Sequence, residues 1–185
     1  TSAPALTPKA AAAAMPATPH SLHLGTLGLV FEPMASTLLA LLESVRGEAL
    51  ISIDPNCRPS AIPDLGTYRP FIYRALASAD LVKLSDEDAC ILAPHNDPKD
   101  TARQLLDAGP KLVVMTQGQD GANAFGQGWD LHVPARRVAV VDTVGAGDAF
   151  AGAFLACLRR RGHGAEALLD REVVLDAIEF ATAIS

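Results

Sequence analysis

Apolar and polar positions along this chain switch between two periods. The short apolar runs SLHLG (21–25), ALISI (49–53), ADLVKL (79–84), KLVVM (111–115) and VAVV (138–141) read as strands. Helix-length segments separate them. One spans 33–47, with Pro33 near its first turn and Gly47 as a stop signal. Others span 68–79, a segment starting at Ser85, 98–108, and stretches near 148–161 and 165–183. Ser85 followed by Asp86, Glu87 and Asp88 is a strong helix start, because a hydroxyl and first-turn carboxylates satisfy free amides. Gly118, Gly121, Gly126 and Gly128 punctuate two further short strands, around ANAF and WDLHV. Strands alternating with helices imply an α/β fold with a mostly parallel sheet covered on both faces. Residues 1–20 read as an Ala/Pro-rich linker or a short Ala-rich helix, and 21–185 as one domain without internal repeats.

Composition narrows the function. The chain has 185 residues, 49% hydrophobic and 19% charged, which excludes an intrinsically disordered polymer. Fifteen basic residues against 21 acidic ones leave a net charge of −6, which argues against nucleic acid or an anionic membrane as partner. Any phosphate must therefore be gripped locally, by backbone amides, a helix end or a metal ion. No charge lies between Lys9 and Glu32, yet Pro16, Pro19, Gly25 and Gly28 break that stretch too often for a membrane span. Cys57, Cys90 and Cys157 are odd in number and lack zinc or disulfide spacing, so a reducing, cytoplasmic setting is expected.

The sharpest chemical feature is Asp142-Thr143-Val144-Gly145-Ala146-Gly147-Asp148, between an apolar run and a helical segment. Gly145, Ala146 and Gly147 let backbone amides approach a ligand at the positive end of a helix. Asp148, in the first turn, is placed to take a proton from an attacking hydroxyl. The competing reading is a tight turn with Asp148 as an ordinary cap. A dinucleotide fingerprint fails because Phe150 occupies the place of its third glycine, and a Walker A loop fails for want of a Gly-Lys pair.

DTVGAGDAFAGAF resembles the C-terminal signature of the ribokinase-like (PfkB) family of carbohydrate kinases. Three weaker likenesses follow the family's order. Asp54-Pro55-Asn56-Cys57-Arg58 is similar to the D-x-N-x-R segment of the fructokinase and 2-keto-3-deoxygluconate kinase branch. Val82–Asp88 resembles the segment that carries N-x-x-E, and Thr116–Gly121 resembles the T-x-G-x-x-G nucleotide loop. The resemblance implies a three-layer αβα sandwich of which this chain is the C-terminal part, without the N-terminal segment and β lid. It further implies phosphoryl transfer from ATP, with Mg²⁺, to a sugar hydroxyl, fructose or a keto-sugar acid being favoured. Asp148 would be the base, and the amides of Gly145, Ala146 and Gly147 the anion hole. A nucleotide-binding fragment without kinase activity is the alternative. The sheet edge left by a missing segment would favour association, a homodimer included.

Other residues take their roles from the same resemblance. Arg58 and Asn56 would hold phosphoryl oxygens, with a structural ion pair as the competing role for Arg58. Thr116, Gly118, Gly121 and Ser85 would line the nucleotide site. Asp88 would be linked to Mg²⁺, although Asp is one methylene shorter than the family's Glu and helix capping competes. Asp142 matches a position associated with a monovalent cation such as K⁺, with a structural turn role equally open.

Overall fold

The apolar runs become the strands of one sheet, and the polar breaks between them become its crossovers. The computed structural model describes residues 5–136 and 144–185. Its strands are β1 (Ser21–Gly25), β2 (Leu50–Asp54), β3 (Leu81–Ser85), β4 (Leu112–Thr116), β5 (Ala122–Gly126) and β6 (Trp129–Val133). Among the described residues they form a single sheet in sequential order. β1 to β4 are parallel, whereas β5 and β6 form an antiparallel hairpin on its edge. The expected strand at 138–141 lies outside the described residues, as do Asp142 and Thr143.

Strand alternation sends successive side chains to opposite faces. Leu24, Ile51, Ile53, Val82, Leu84, Val113 and Met115 point to one face. There they pack on α2 (Met34–Val45), α3 (Leu65–Ala77), α4 (Asp86–Leu92) and α5 (Pro98–Asp107). Leu50, Leu81, Leu112, Val114, Leu131 and Val133 point to the other, under α6 (Ala146–Arg160) and α7 (Arg171–Ile184). This gives the expected three layers. Ile51, Ile53, Leu84 and Leu112 are entirely buried, each contributing roughly 1.5–3 kcal/mol of hydrophobic stabilisation. No strand residue of β1 joins this second apolar cluster among the described residues.

Two boundaries differ from expectation. The helix expected at 165–183 is split: residues Ala165–Leu169 form a 3-10 turn, and Asp170 caps α7 by accepting from Glu172 and Val173. The segment expected as 68–79 starts three residues earlier, because Asp64 accepts from the amides of Gly66 and Thr67. The Ala-rich start forms α1 (Pro8–Ala14), capped by Thr7, with Ala11 buried. It packs against α2, and the Thr37 hydroxyl donates to the Leu6 carbonyl across 3.1 Å.

Candidate active site

In an open parallel sheet, ligands bind beyond the carboxyl ends of the strands. Here those ends are Gly25, Asp54, Ser85 and Thr116, so the segments beginning at Asp54 and Thr116, and the residues from Ser85 to Asp88, lie at this edge.

The head of α6 faces this region. α1, α3, α4, α5 and α7 each start on a side-chain cap. α6 does not. Its first residue follows Gly145, which sits at φ 82°, a left-handed conformation that a side chain would strain. The first intrahelical bond runs from Ala149 to the Gly145 carbonyl, 2.8 Å. The amides of Gly145, Ala146, Gly147 and Asp148 are therefore the four that helix geometry leaves over. None donates to a partner among the described residues. A Cβ at Gly145 would meet nothing within 4 Å, so space above the turn is open. Asp148 is exposed beside it.

Behind this turn lies a polar stripe on the face that α6 covers. His23, Ser52, Asp54 and Lys83 occupy alternate positions of β1, β2 and β3. The Lys83 ammonium donates to Asp54 Oδ2 across 2.7 Å, and both residues are buried. Burial pushes the Asp54 carboxyl above its ordinary pKa, and the neighbouring ammonium opposes that rise. His23 Nδ1 lies 3.0 Å from the Ser52 hydroxyl. Burial holds its imidazole below the usual pKa, Lys83 adding to the effect while Asp54 and Asp148 oppose it. A Cβ added at Gly147 would lie 2.9 Å from Lys83 Nζ, so helix and lysine are in direct contact. β1 is held equally close: a Cβ at Gly25 would lie 2.7 Å from the Asp54 carbonyl oxygen.

The loop after β2 is tied to α4. Asp54 Oδ1 accepts from the Asn56 amide, and Asn56 adopts φ 37°. Cys57 donates its amide to Asp88 Oδ1 at 2.6 Å. Arg58 projects into solvent, its Nη1 returning to the Cys57 carbonyl. Asp88 Oδ2 accepts from both the amide and the hydroxyl of Ser85, completing a reciprocal cap. With both oxygens engaged and 4% exposure, Asp88 acts as a buried brace between loop and helix. That geometry favours capping over the metal-linked role implied by the resemblance. Ser85, by the same bonds, is the cap of α4.

Thr116 ends β4, its hydroxyl 3.4 Å from the Leu84 carbonyl. The turn after it closes by a bond from the Gln117 amide to the Gly121 carbonyl, 2.8 Å. Gly118 and Gly121 both take positive φ. Thus Gly147, Asp148, Lys83, Asp54 and His23 form one cluster, and Asn56, Arg58, Ser85 and Asp88 a second, joined to the first through Asp54. No group of three or more metal-ligating side chains occurs among the described residues.

The family's own model, described as pfkB family carbohydrate kinase, matches residues 6–184. The chain belongs to this family. Among curated PfkB relatives, the fructokinase of Rhizobium leguminosarum bv. trifolii is 41% identical over 140 residues, 76% of this chain and 43% of that protein. The fructokinase of Klebsiella pneumoniae is 40% identical over 143 residues, 76% of this chain and 47% of its own. This chain spans about half the length of such relatives. Among solved structures, aminoimidazole riboside kinase from Salmonella enterica superposes with a TM-score of 0.85 at 27% identity, covering 98% of this chain and 59% of that one. Fructokinase from Vibrio cholerae O395, solved with fructose, ADP and a calcium ion, gives 0.84 at 26%, covering 96% and 56%. The ribokinase-like fold expected from the motifs is therefore the fold observed.

Sequence reasoning did not assign Lys83, Ser52 or His23 to the site. The signal was present: an ionisable residue inside the apolar run LVKL, and polar residues at alternate places in ISID.

Proposed function

We propose that this chain supplies the nucleotide-binding and catalytic part of an ATP-dependent sugar kinase. The observation that carries the reading is the uncapped, glycine-led head of α6, with Asp148 in its first turn. Phosphoryl transfer asks a protein for positioning and charge neutralisation rather than covalent chemistry. Amides of Gly145, Ala146 and Gly147 receive the charge that builds on the migrating phosphoryl group. Asp148, exposed beside them, accepts the proton of the attacking sugar hydroxyl. Arg58 and Asn56, on the loop after β2, meet phosphoryl oxygens, while Thr116, Gly118 and Gly121 border the nucleotide.

Mg²⁺, when bound, would supply charge neutralisation on the ATP phosphates. Such an ion is commonly held by one or two carboxylates plus the phosphates themselves. Asp142, outside the described residues, is the proposed contact for a monovalent cation. Fructose or a keto-sugar acid is the favoured acceptor, supported by the Asp54–Arg58 segment and by the fructokinases among the relatives. Three free cysteines are in keeping with a cytoplasmic setting.

The test is coupled ADP release over a panel of ketoses, aldoses and sugar acids. Asp148→Asn should abolish turnover and leave ATP affinity within about threefold, since the carboxylate acts on the acceptor. Unchanged turnover in that variant refutes the base assignment. A second reading is nucleotide binding without sugar phosphorylation. ATP binding with no sugar-stimulated ADP release would select it.

A further inference from the structure

Lys83 is an unusual residue for its place. It sits at the centre of a buried parallel strand between Val82 and Leu84, both without exposed surface, and is itself only 6% exposed. Its ammonium has three N–H donors, and Asp54 Oδ2 is its one hydrogen-bond partner among the described residues. The void beneath it, lined by Ser52, Val114, Phe150 and Phe154, is about 10 Å³, no larger than one water. On the remaining side stands the backbone of Gly147, close enough that a Cβ would come within 2.9 Å of Nζ.

A buried ion pair is a poor stabiliser, and apolar side chains of similar volume often serve a fold as well or better. What the pair does provide is an oriented dipole whose positive end, the ammonium, is fixed at a defined point, in surroundings where charge is weakly screened. That point lies directly behind the first turn of α6. We propose that Lys83 is a positioning residue for phosphoryl transfer. Held by Asp54 and pressed against Gly147, it props the first turn so that the free amides and Asp148 keep their orientation. Its charge reinforces the positive end of the helix as negative charge gathers on the phosphoryl group. Gly147 is required here for the room it leaves the ammonium, in addition to any approach of substrate. Lys83 acts through α6 rather than on substrate, and the inference rests on the kinase reading above.

Kinetics on the full chain test it. Lys83→Met alone strands a buried carboxylate, so the informative variant is Lys83→Met combined with Asp54→Asn, which removes both charges. The double variant should melt within about 5 °C of the unmodified protein. Its kcat should fall by about 10- to 100-fold, with KM for sugar and ATP changing less than about threefold. A folded double variant with kcat within about twofold of the unmodified protein, or a loss confined to KM, overturns the proposal. Should the double variant not fold, Lys83→Arg decides, because it keeps the charge but not the fit against Gly147. Reduced kcat at unchanged KM then supports positioning, and full activity overturns it. An unmodified chain that releases no ADP with any sugar overturns the kinase reading itself and Lys83 with it. An active chain beside a fully active variant overturns Lys83 alone.

Discussion

Gly118 and Gly121 lie three residues apart in the turn between β4 and β5, and substituting each by alanine separates conformational strain from collision. Gly118 sits at φ 52° with nothing within 4 Å of an added Cβ. Gly118→Ala therefore meets only the left-handed penalty, about 1–2 kcal/mol. Gly121 sits at φ 93° and ψ −139°, close to a region open almost solely to glycine and costing about 1–3 kcal/mol. Its Cβ would also lie 2.1 Å from the Val133 oxygen, 2.6 Å from the Ala135 nitrogen and 2.8 Å from the Pro134 carbonyl carbon. All three are backbone atoms, so relief requires moving the end of β6 away from the start of β5. That movement pulls on the Ala122–Val133 pairing and the bond from Gln117 to Gly121. Overpacking of this kind adds about 1–3 kcal/mol. The total for Gly121→Ala is thus about 2–6 kcal/mol. A domain of this size loses roughly 2–4 °C of Tm per kcal/mol, so Gly118→Ala should melt about 2–8 °C low. Gly121→Ala should melt lower still, about 4–24 °C below the unmodified protein. Thermal melts followed by circular dichroism read both. If Gly121→Ala melts at or above Gly118→Ala, the collision has been misjudged and the turn does not depend on that close approach.

Two further outcomes are expected. Asp88→Ala leaves the amides of Cys57 and Ser85 without their acceptor and should lower stability by about 2–4 kcal/mol in buffer free of divalent ions. A variant that melts like the parent until Mg²⁺ is added would restore the metal-linked role. His23 is held below its unfolded pKa, so the unfolded chain binds the extra proton more readily and stability is lost as pH falls below about 6.5. His23→Gln should flatten that part of a Tm-against-pH curve, and an unaltered slope between pH 7 and 5 would place the loss elsewhere.

The strands were legible because each is a short apolar run ended by a loop signal, and ISI, LVKL and LVVM keep their faces in the folded sheet. The boundary of α7 was not, since Glu166 and Asp170 both offer first-turn chemistry and only tertiary contacts decide between them. Leu168 is fully buried in the intervening 3-10 turn, which fixes the break. Within the site, the glycine turn and Asp148 could be read from residue type and spacing. Lys83 could not be weighed from the chain alone, because its meaning depends on Asp54 from one strand and Gly147 from a distant helix. Asp88 looks the same in sequence whether it reaches outward to an ion or backward to Ser85. Only the bond from Cys57, thirty-one residues away, separates the two.

The unfilled donors at the head of α6 attract anions over a single helical turn. The chain carries a net charge of −6, whose field reaches about 8–10 Å into physiological saline. An anionic guest must therefore climb a shallow repulsive slope before it falls into a narrow attractive well. Raising ionic strength flattens the slope more than the well, so arrival should quicken with added salt, opposite to the behaviour of a protein that captures phosphates with a broad basic surface.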